Sequence, residues 1–175
     1  MSKLLETVVA IAKTQIGVME EPPGSNRGKQ VDKYHQSVGL NPSAGNPWCM
    51  AFVYWCFMEA SVKLGVTNPA IKLAHCLNVW KSANKLTYAK QVTAERAKKD
   101  WKLVKPGMIF ILEISPLTRA GHTGVVESVN YMTGIMTTIE GNSNENGSRE
   151  GLGVYRLVRR KITSINVGFI DYTLV

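Results

Sequence analysis

Two residues able to do covalent chemistry together stand far apart in the chain. Cys49 follows the turn-forming segment Gly45-Asn46-Pro47-Trp48 and opens the run Met50-Ala51-Phe52-Val53-Tyr54-Trp55-Cys56-Phe57. That run has almost no polar face, which predicts a buried helix with Cys49 in its first turn. There the unpaired amides and the helix dipole favour an anion, lower a thiol's pKa and raise its thiolate fraction. His122, in Gly121-His122-Thr123-Gly124-Val125-Val126, opens an apolar run that reads as a strand. A second strand ends in Ile139-Glu140-Gly141-Asn142. The three segments supply a nucleophile, a base and an orienting carboxylate.

Taken alone, Cys49 reads as a small apolar filler, the usual fate of an unpaired cysteine. The turn before it, the helix behind it and the downstream partners point instead to a nucleophile. Cys56, seven residues on, falls close to the same helical face and reads as core packing. Cys76 lies in an apolar helical pattern and reads the same way. His122 is assigned as general base toward Cys49 and then general acid toward the leaving amine, with Gly121 and Gly124 leaving backbone room for a substrate. His35 and His75 read as structural or surface residues. Glu140 ends an apolar strand, where a carboxylate is costly unless paired, and an imidazole would pair it. Asn142 is either a member of that network or a turn residue, and the sequence leaves open which of Glu140 and Asn142 contacts the ring. The backbone N–H of Cys49 is the candidate oxyanion donor.

These segments carry a family resemblance. Gly-x-Pro-Trp-Cys-x-x-Phe-Val-x-Trp-Cys at 45–56, Gly-His-x-Gly-Val-Val at 121–126 and Glu-Gly-Asn-Ser-Asn at 140–144 resemble a CHAP domain, the cysteine, histidine-dependent amidohydrolase/peptidase of the NlpC/P60 papain-like peptidoglycan hydrolases. Lys105-Pro106-Gly107 and Gly147-Ser148-Arg149-Glu150-Gly151-x-Gly153-Val154 extend the match. The resemblance implies an α+β, papain-like fold with N-terminal helices packed on a C-terminal antiparallel β-sheet. It implies cleavage of a peptidoglycan amide bond through a cysteine acyl-enzyme, by an N-acetylmuramoyl-L-alanine amidase or a stem or cross-bridge endopeptidase. Cys49, His122, Glu140 and Asn142 take the catalytic positions. Asn26 and Arg27, in a loop of a type that lies near the family's site, are candidate substrate contacts, and Trp48, with Trp55 and Tyr54, a candidate groove wall. Many relatives carry an Asp-x-Asp calcium site before the cysteine. Here only Glu20-Glu21 and Asp32 precede it, so neither metal nor cofactor is expected. The alternative is a catalytically inactive CHAP-like wall-binding or phage structural module.

The 175 residues suit a single domain over 1–175. The formal net charge of +8 suits an anionic polymer such as peptidoglycan with its accessory polymers. No nucleic-acid motif, Walker loop, His-Glu-x-x-His or membrane-length apolar run is present, so neither nucleic acid nor membrane is expected as a partner. Cysteines at 49, 56 and 76 give neither a disulfide framework nor metal spacing. The N-terminus does not read as a signal peptide. Synthesis in the cytoplasm, followed by release or injection to the wall, is therefore expected. A phage endolysin and an antibacterial effector with an immunity partner both fit.

The elements that must position these groups follow from periodicity. A helix is predicted over 2–16 with Ser2 as N-cap, a short one around Val31–Val38, the central helix to about Leu64, and one starting at Asn68-Pro69. Lys85–Lys105 reads as either a short helix or an extended loop. Strands are predicted at 108–112, 123–129, 135–140 and 154–158, with a final edge strand over 167–172 and a mobile loop over 142–151.

Overall fold

The computed structural model describes residues 2–118, 120–147 and 151–172. Four helices come first. Helix α1 (Lys3–Thr14) is capped by Ser2, whose hydroxyl accepts from the Leu5 N–H. Helix α2 spans Lys29–Ser37 and α3 spans Cys49–Leu64. Gly65, at φ 66°, closes α3 in the left-handed conformation that glycine adopts without strain. Helix α4 is shorter, Cys76–Ala83. Then come β1 (Lys90–Thr93), α5 (Ala94–Lys99), β2 (Ile109–Ser115), β3 (Ala120–Asn130), β4 (Ile135–Ser143), β5 (Gly153–Lys161) and β6 (Gly168–Asp171).

The six strands form one sheet in the order β1-β6-β2-β3-β4-β5, and every pairing is antiparallel. Strand alternation assigns the two faces. Ile109, Ile111, Val125, Ile139 and Ile170 join the core built by α1–α4. Their neighbours Phe110, Val126 and Phe169 join a second cluster with Ala97, Val104, Ile162 and Ile165. This is the α+β, papain-like arrangement, with the N-terminal helices laid on the antiparallel sheet.

Three expectations need correction. No helix starts at Asn68-Pro69. Asn68 accepts from the Ala70 N–H through its side chain, a local turn that competes with helix, and the helix begins only at Cys76. The last strand is not at an edge: β6 lies between β1 and β2, because β1 forms from Lys90–Thr93 within the stretch that reads as helix or loop. The expected loop over 142–151 starts late, since Asn142 and Ser143 still belong to β4; residues 148–150 lie outside the described residues.

Candidate active site

Cys49 is the first residue of α3, and the turn that delivers it is held from several directions. Gly45, at φ 58°, follows the 3-10 turn Pro42–Ala44. His35, fully buried on α2, donates from Nε2 to the Asn46 carbonyl at 2.8 Å. The Trp48 indole stacks on Tyr34 with ring centroids 5.6 Å apart and donates from Nε1 to Glu20 at 2.9 Å. The Trp48 N–H donates to Asn142 Oδ1 at 3.1 Å, tying the start of α3 to the end of β4.

The second part of the site is built on the β3–β4 pair. His122 Nε2 lies 2.8 Å from Glu140 Oε2, with both side chains buried. A carboxylate only accepts, so Nε2 carries the proton. Thr138 donates its hydroxyl to Glu140 Oε1 at 2.6 Å. Arg160, from β5, donates to both oxygens of Glu140. Its guanidinium lies over the Phe110 ring, 4.9 Å from the centroid. Glu140 therefore takes four hydrogen bonds in a setting where a bare carboxylate is not tolerated.

This geometry answers the question the sequence leaves open. Glu140 contacts the imidazole. Asn142, in the left-handed region at φ 53°, turns its side chain toward Trp48, Asn26 and the Gly151 carbonyl.

With Nε2 committed to Glu140, the other ring nitrogen is left for the thiol. His122 Nδ1 is buried and has no partner at full hydrogen-bond geometry. Cys49 and His122 nonetheless act on each other electrostatically, the pKa of the one lowered and of the other raised. A loose resting contact that tightens when substrate binds is common in such pairs.

Burial disfavours charge on His122. Hydrogen bonds and negative charge from Cys49 and Glu140 outweigh it and raise the imidazole to about 9. The Cys49 thiol is held well below the ordinary range, first by the Cys76 thiol acting as donor, against the cost of burial, then by His122 and the Met50 amide. Burial raises Glu140, but His122 and Arg160 hold it below the usual carboxylate range. Both shifts favour the thiolate–imidazolium pair over the neutral one.

A cleft of about 620 Å³ opens at Cys49, which lines it together with Leu40, Asn46, Pro47, Cys76, Ala120 and Gly121. A smaller, more polar cavity of about 340 Å³ touches Pro47 and is lined by Glu20, Asn26, Asn142 and Leu152.

The remaining expected contacts fare differently. Asn26 belongs to the polar cavity, accepting from Asn142 Nδ2 at 3.2 Å. Arg27 is committed to Asp32 through two bonds of 2.9 and 3.0 Å. Trp48 is corrected as a groove wall: it is fully buried and stacked on Tyr34 in the core, so it has no surface to offer a substrate. Trp55 is half-buried and packs edge-on to Tyr34; Tyr54 is also half-buried.

The glycines around His122 make room for the protein itself. A Cβ on Gly124 would lie 2.7 Å from Glu140 Cγ, and one on Gly121 would lie 2.9 Å from Cys76 Cβ. Glu20 and Asp32, the acidic side chains that matter for a calcium site, have separate partners: Trp48 Nε1 and the Asn26 N–H for Glu20, Arg27 for Asp32.

Two residues of the site escape sequence reasoning. Cys76, read as packing, has its Sγ 3.7 Å from that of Cys49 and borders the cleft. Arg160 sits in Arg159-Arg160-Lys161, which reads as solvated charge. The available signal was the demand of a buried Glu140 for a cation.

A family model for the CHAP domain matches residues 41–142. The chain belongs to the CHAP family. The match covers more than half of the 175 residues, starts in the turn before Cys49 and ends on Asn142. It therefore takes in Cys49, His122 and Glu140, while Arg160 falls outside it. No curated protein and no solved structure matches the chain. CHAP membership places the protein among the peptidoglycan hydrolase-type, papain-like NlpC/P60 domains and gives its general chemistry as that of cysteine- and histidine-dependent amidohydrolases and peptidases. Among the described residues no helix is long and apolar enough to cross a membrane.

Proposed function

We propose that this CHAP domain cleaves an amide bond of peptidoglycan through an acyl-enzyme on Cys49. The scissile carbonyl enters the cleft and the Cys49 thiolate attacks its carbon. Negative charge on the carbonyl oxygen is met by the Cys49 N–H, one of the α3 amides without an intrahelical partner. The imidazolium of His122 gives its Nδ1 proton to the leaving amine, which departs and leaves a thioester. Neutral His122 then takes a proton from water as the water attacks the thioester, and the thiolate returns with the free acid. Glu140 stays ionised throughout. It fixes the ring and stabilises its charged form, while Asn142 holds the start of α3 in place. The observation that carries this reading is the buried chain of hydrogen bonds from His122 through Glu140 to Arg160, with Cys49 at the head of α3 lining an open cleft.

The bond is either the muramoyl–L-alanine amide or a peptide bond of the stem or cross-bridge. We read the whole chain, 1–175, as one catalytic domain of a phage endolysin or of an antibacterial effector with an immunity partner. It is made in the cytoplasm and reaches the wall by release or injection. Its net charge of +8 supports a polyanionic target in either setting.

Purified sacculi incubated with wild type should lose turbidity, and mass spectrometry of the released muropeptides should show which amide is opened. Cys49→Ala should bind the same sacculi and release nothing. Binding by both proteins with no new amino groups from either would leave a wall-binding module and remove the enzyme.

A further inference from the structure

Cys76 forms and breaks no bond in the steps above, yet its sulfur lies 3.7 Å from the Cys49 sulfur, within hydrogen-bond reach of it. The two come from different elements, Cys49 from the first turn of α3 and Cys76 from the first turn of α4, so each sits at the positive end of a helix. Both sulfur-bearing residues border the same cleft, which gives a small oxidant a path to them. The chain before Cys76 is irregular from Val66 to His75, so α4 is not held by a preceding helix. A disulfide needs the sulfurs to close from this contact to about 2.05 Å. Cys56 provides the contrast. It is fully buried in the core, burial raises its pKa, and it does not border the cleft.

We propose that Cys49 and Cys76 form a reversible redox site, in which Cys76 resolves the oxidised nucleophile as an intramolecular disulfide and shuts the enzyme off without destroying it. The oxidant is a peroxide of the hydrogen peroxide class. The Cys49 thiolate attacks one peroxide oxygen, the O–O bond breaks, and the products are a Cys49 sulfenic acid and one water, formed with a proton from the site. The Cys76 sulfur attacks the sulfenic sulfur, an S–S bond forms, the S–O bond breaks, and the thiol proton leaves with the hydroxide as a second water. Two thiols are oxidised and one peroxide is reduced to two waters. A dithiol reductant reverses the change by thiol–disulfide exchange. Without Cys76 the sulfenic acid has no resolving partner at hand and proceeds to sulfinic acid, which such a reductant does not repair.

The test treats the full chain with hydrogen peroxide at neutral pH and reads intact mass, a peptide map and wall hydrolysis before and after dithiothreitol. Wild type should lose two hydrogens, yield a Cys49–Cys76 linked peptide, lose its lytic activity and recover both thiols and activity on reduction. Cys56→Ala should give the same linked peptide. Cys76→Ser should instead gain oxygen on Cys49 and stay oxidised after dithiothreitol. Oxygen addition to wild-type Cys49 with no linked peptide, or full thiol recovery in Cys76→Ser, overturns the proposal. The mass readout needs no substrate, so a linked peptide in a protein that fails to open sacculi would leave the redox site standing and remove the hydrolase reading alone.

Discussion

Cys49 and His122 carry opposite charges only within a pH window, and the window follows from their surroundings. The thiol pKa is lowered, so the thiolate forms below the usual thiol range; the imidazole is raised to about 9, so its proton is lost only above that. Catalysis needs the charged pair, and kcat/KM should therefore rise through the Cys49 ionisation, stay high at neutral pH and fall as pH passes about 9. Glu140→Gln removes one of the groups that raises the imidazole. The alkaline limb should move down toward the ordinary histidine value of about 6.5, with activity reduced by as much as about 10⁴-fold. An alkaline limb that stays in place in Glu140→Gln would mean that another group sets it. Iodoacetamide near neutral pH should label Cys49 first and Cys56 last, and equal labelling of all three thiols would contradict a low-pKa thiolate. Arg160 belongs to the same scale. Arg160→Met takes from buried Glu140 the guanidinium that holds both its oxygens, which should cost about 3–5 kcal/mol in chemical denaturation. Arg160→Lys should be intermediate, because an ammonium restores the charge and not the two-pronged geometry.

Elements bring these residues together through close approach. Helix α3 crosses β4 at Gly141, where an added Cβ would lie 2.7 Å from Phe52 and 2.8 Å from the Trp48 ring. Gly141→Ala should push α3 off the sheet, destabilise the fold by about 1–3 kcal/mol and lower kcat in the protein that remains folded. Thermal melts and active-site titration separate the two effects; unchanged kcat would show that the Cys49–His122 spacing tolerates the shift. Asn142 joins the same two elements, from Oδ1 to the Trp48 N–H. Local signals made most elements legible. A run without a polar face that ends in glycine gives α3, and alternation around Asn130–Gly134 gives the β3–β4 hairpin. The helix expected at Asn68-Pro69 failed because the Asn68 side chain satisfies a nearby amide and makes a turn instead. Strand β1 is four residues with one buried side chain, too little pattern to separate from a loop.

Across the whole molecule, legibility ends where contacts join distant residues without a local pattern. The Cys49, His122 and Glu140 segments could be read because each lies in an apolar setting that makes a polar group conspicuous. Cys76 and Arg160 could not, since a cysteine in an apolar pattern and an arginine in a basic run are both unremarkable until the fold sets one against Cys49 and the other against Glu140. The place of β6 between β1 and β2 is likewise a matter of topology. The charge of +8 acts at this scale too. Retention of Cys49→Ala on sacculi should fall as salt is raised, while cleavage of a short soluble muropeptide by wild type should change little. Salt-independent retention would assign wall binding to the cleft rather than to the overall field.

The covalent intermediate on Cys49 decides the mechanism most directly. Wild type mixed with a soluble muropeptide and quenched in acid within the first turnovers should carry the acyl fragment on the peptide that contains Cys49, and Cys49→Ala should carry none and release no product. Cleavage at the wild-type rate by Cys49→Ala, or an adduct on any other residue, would contradict it.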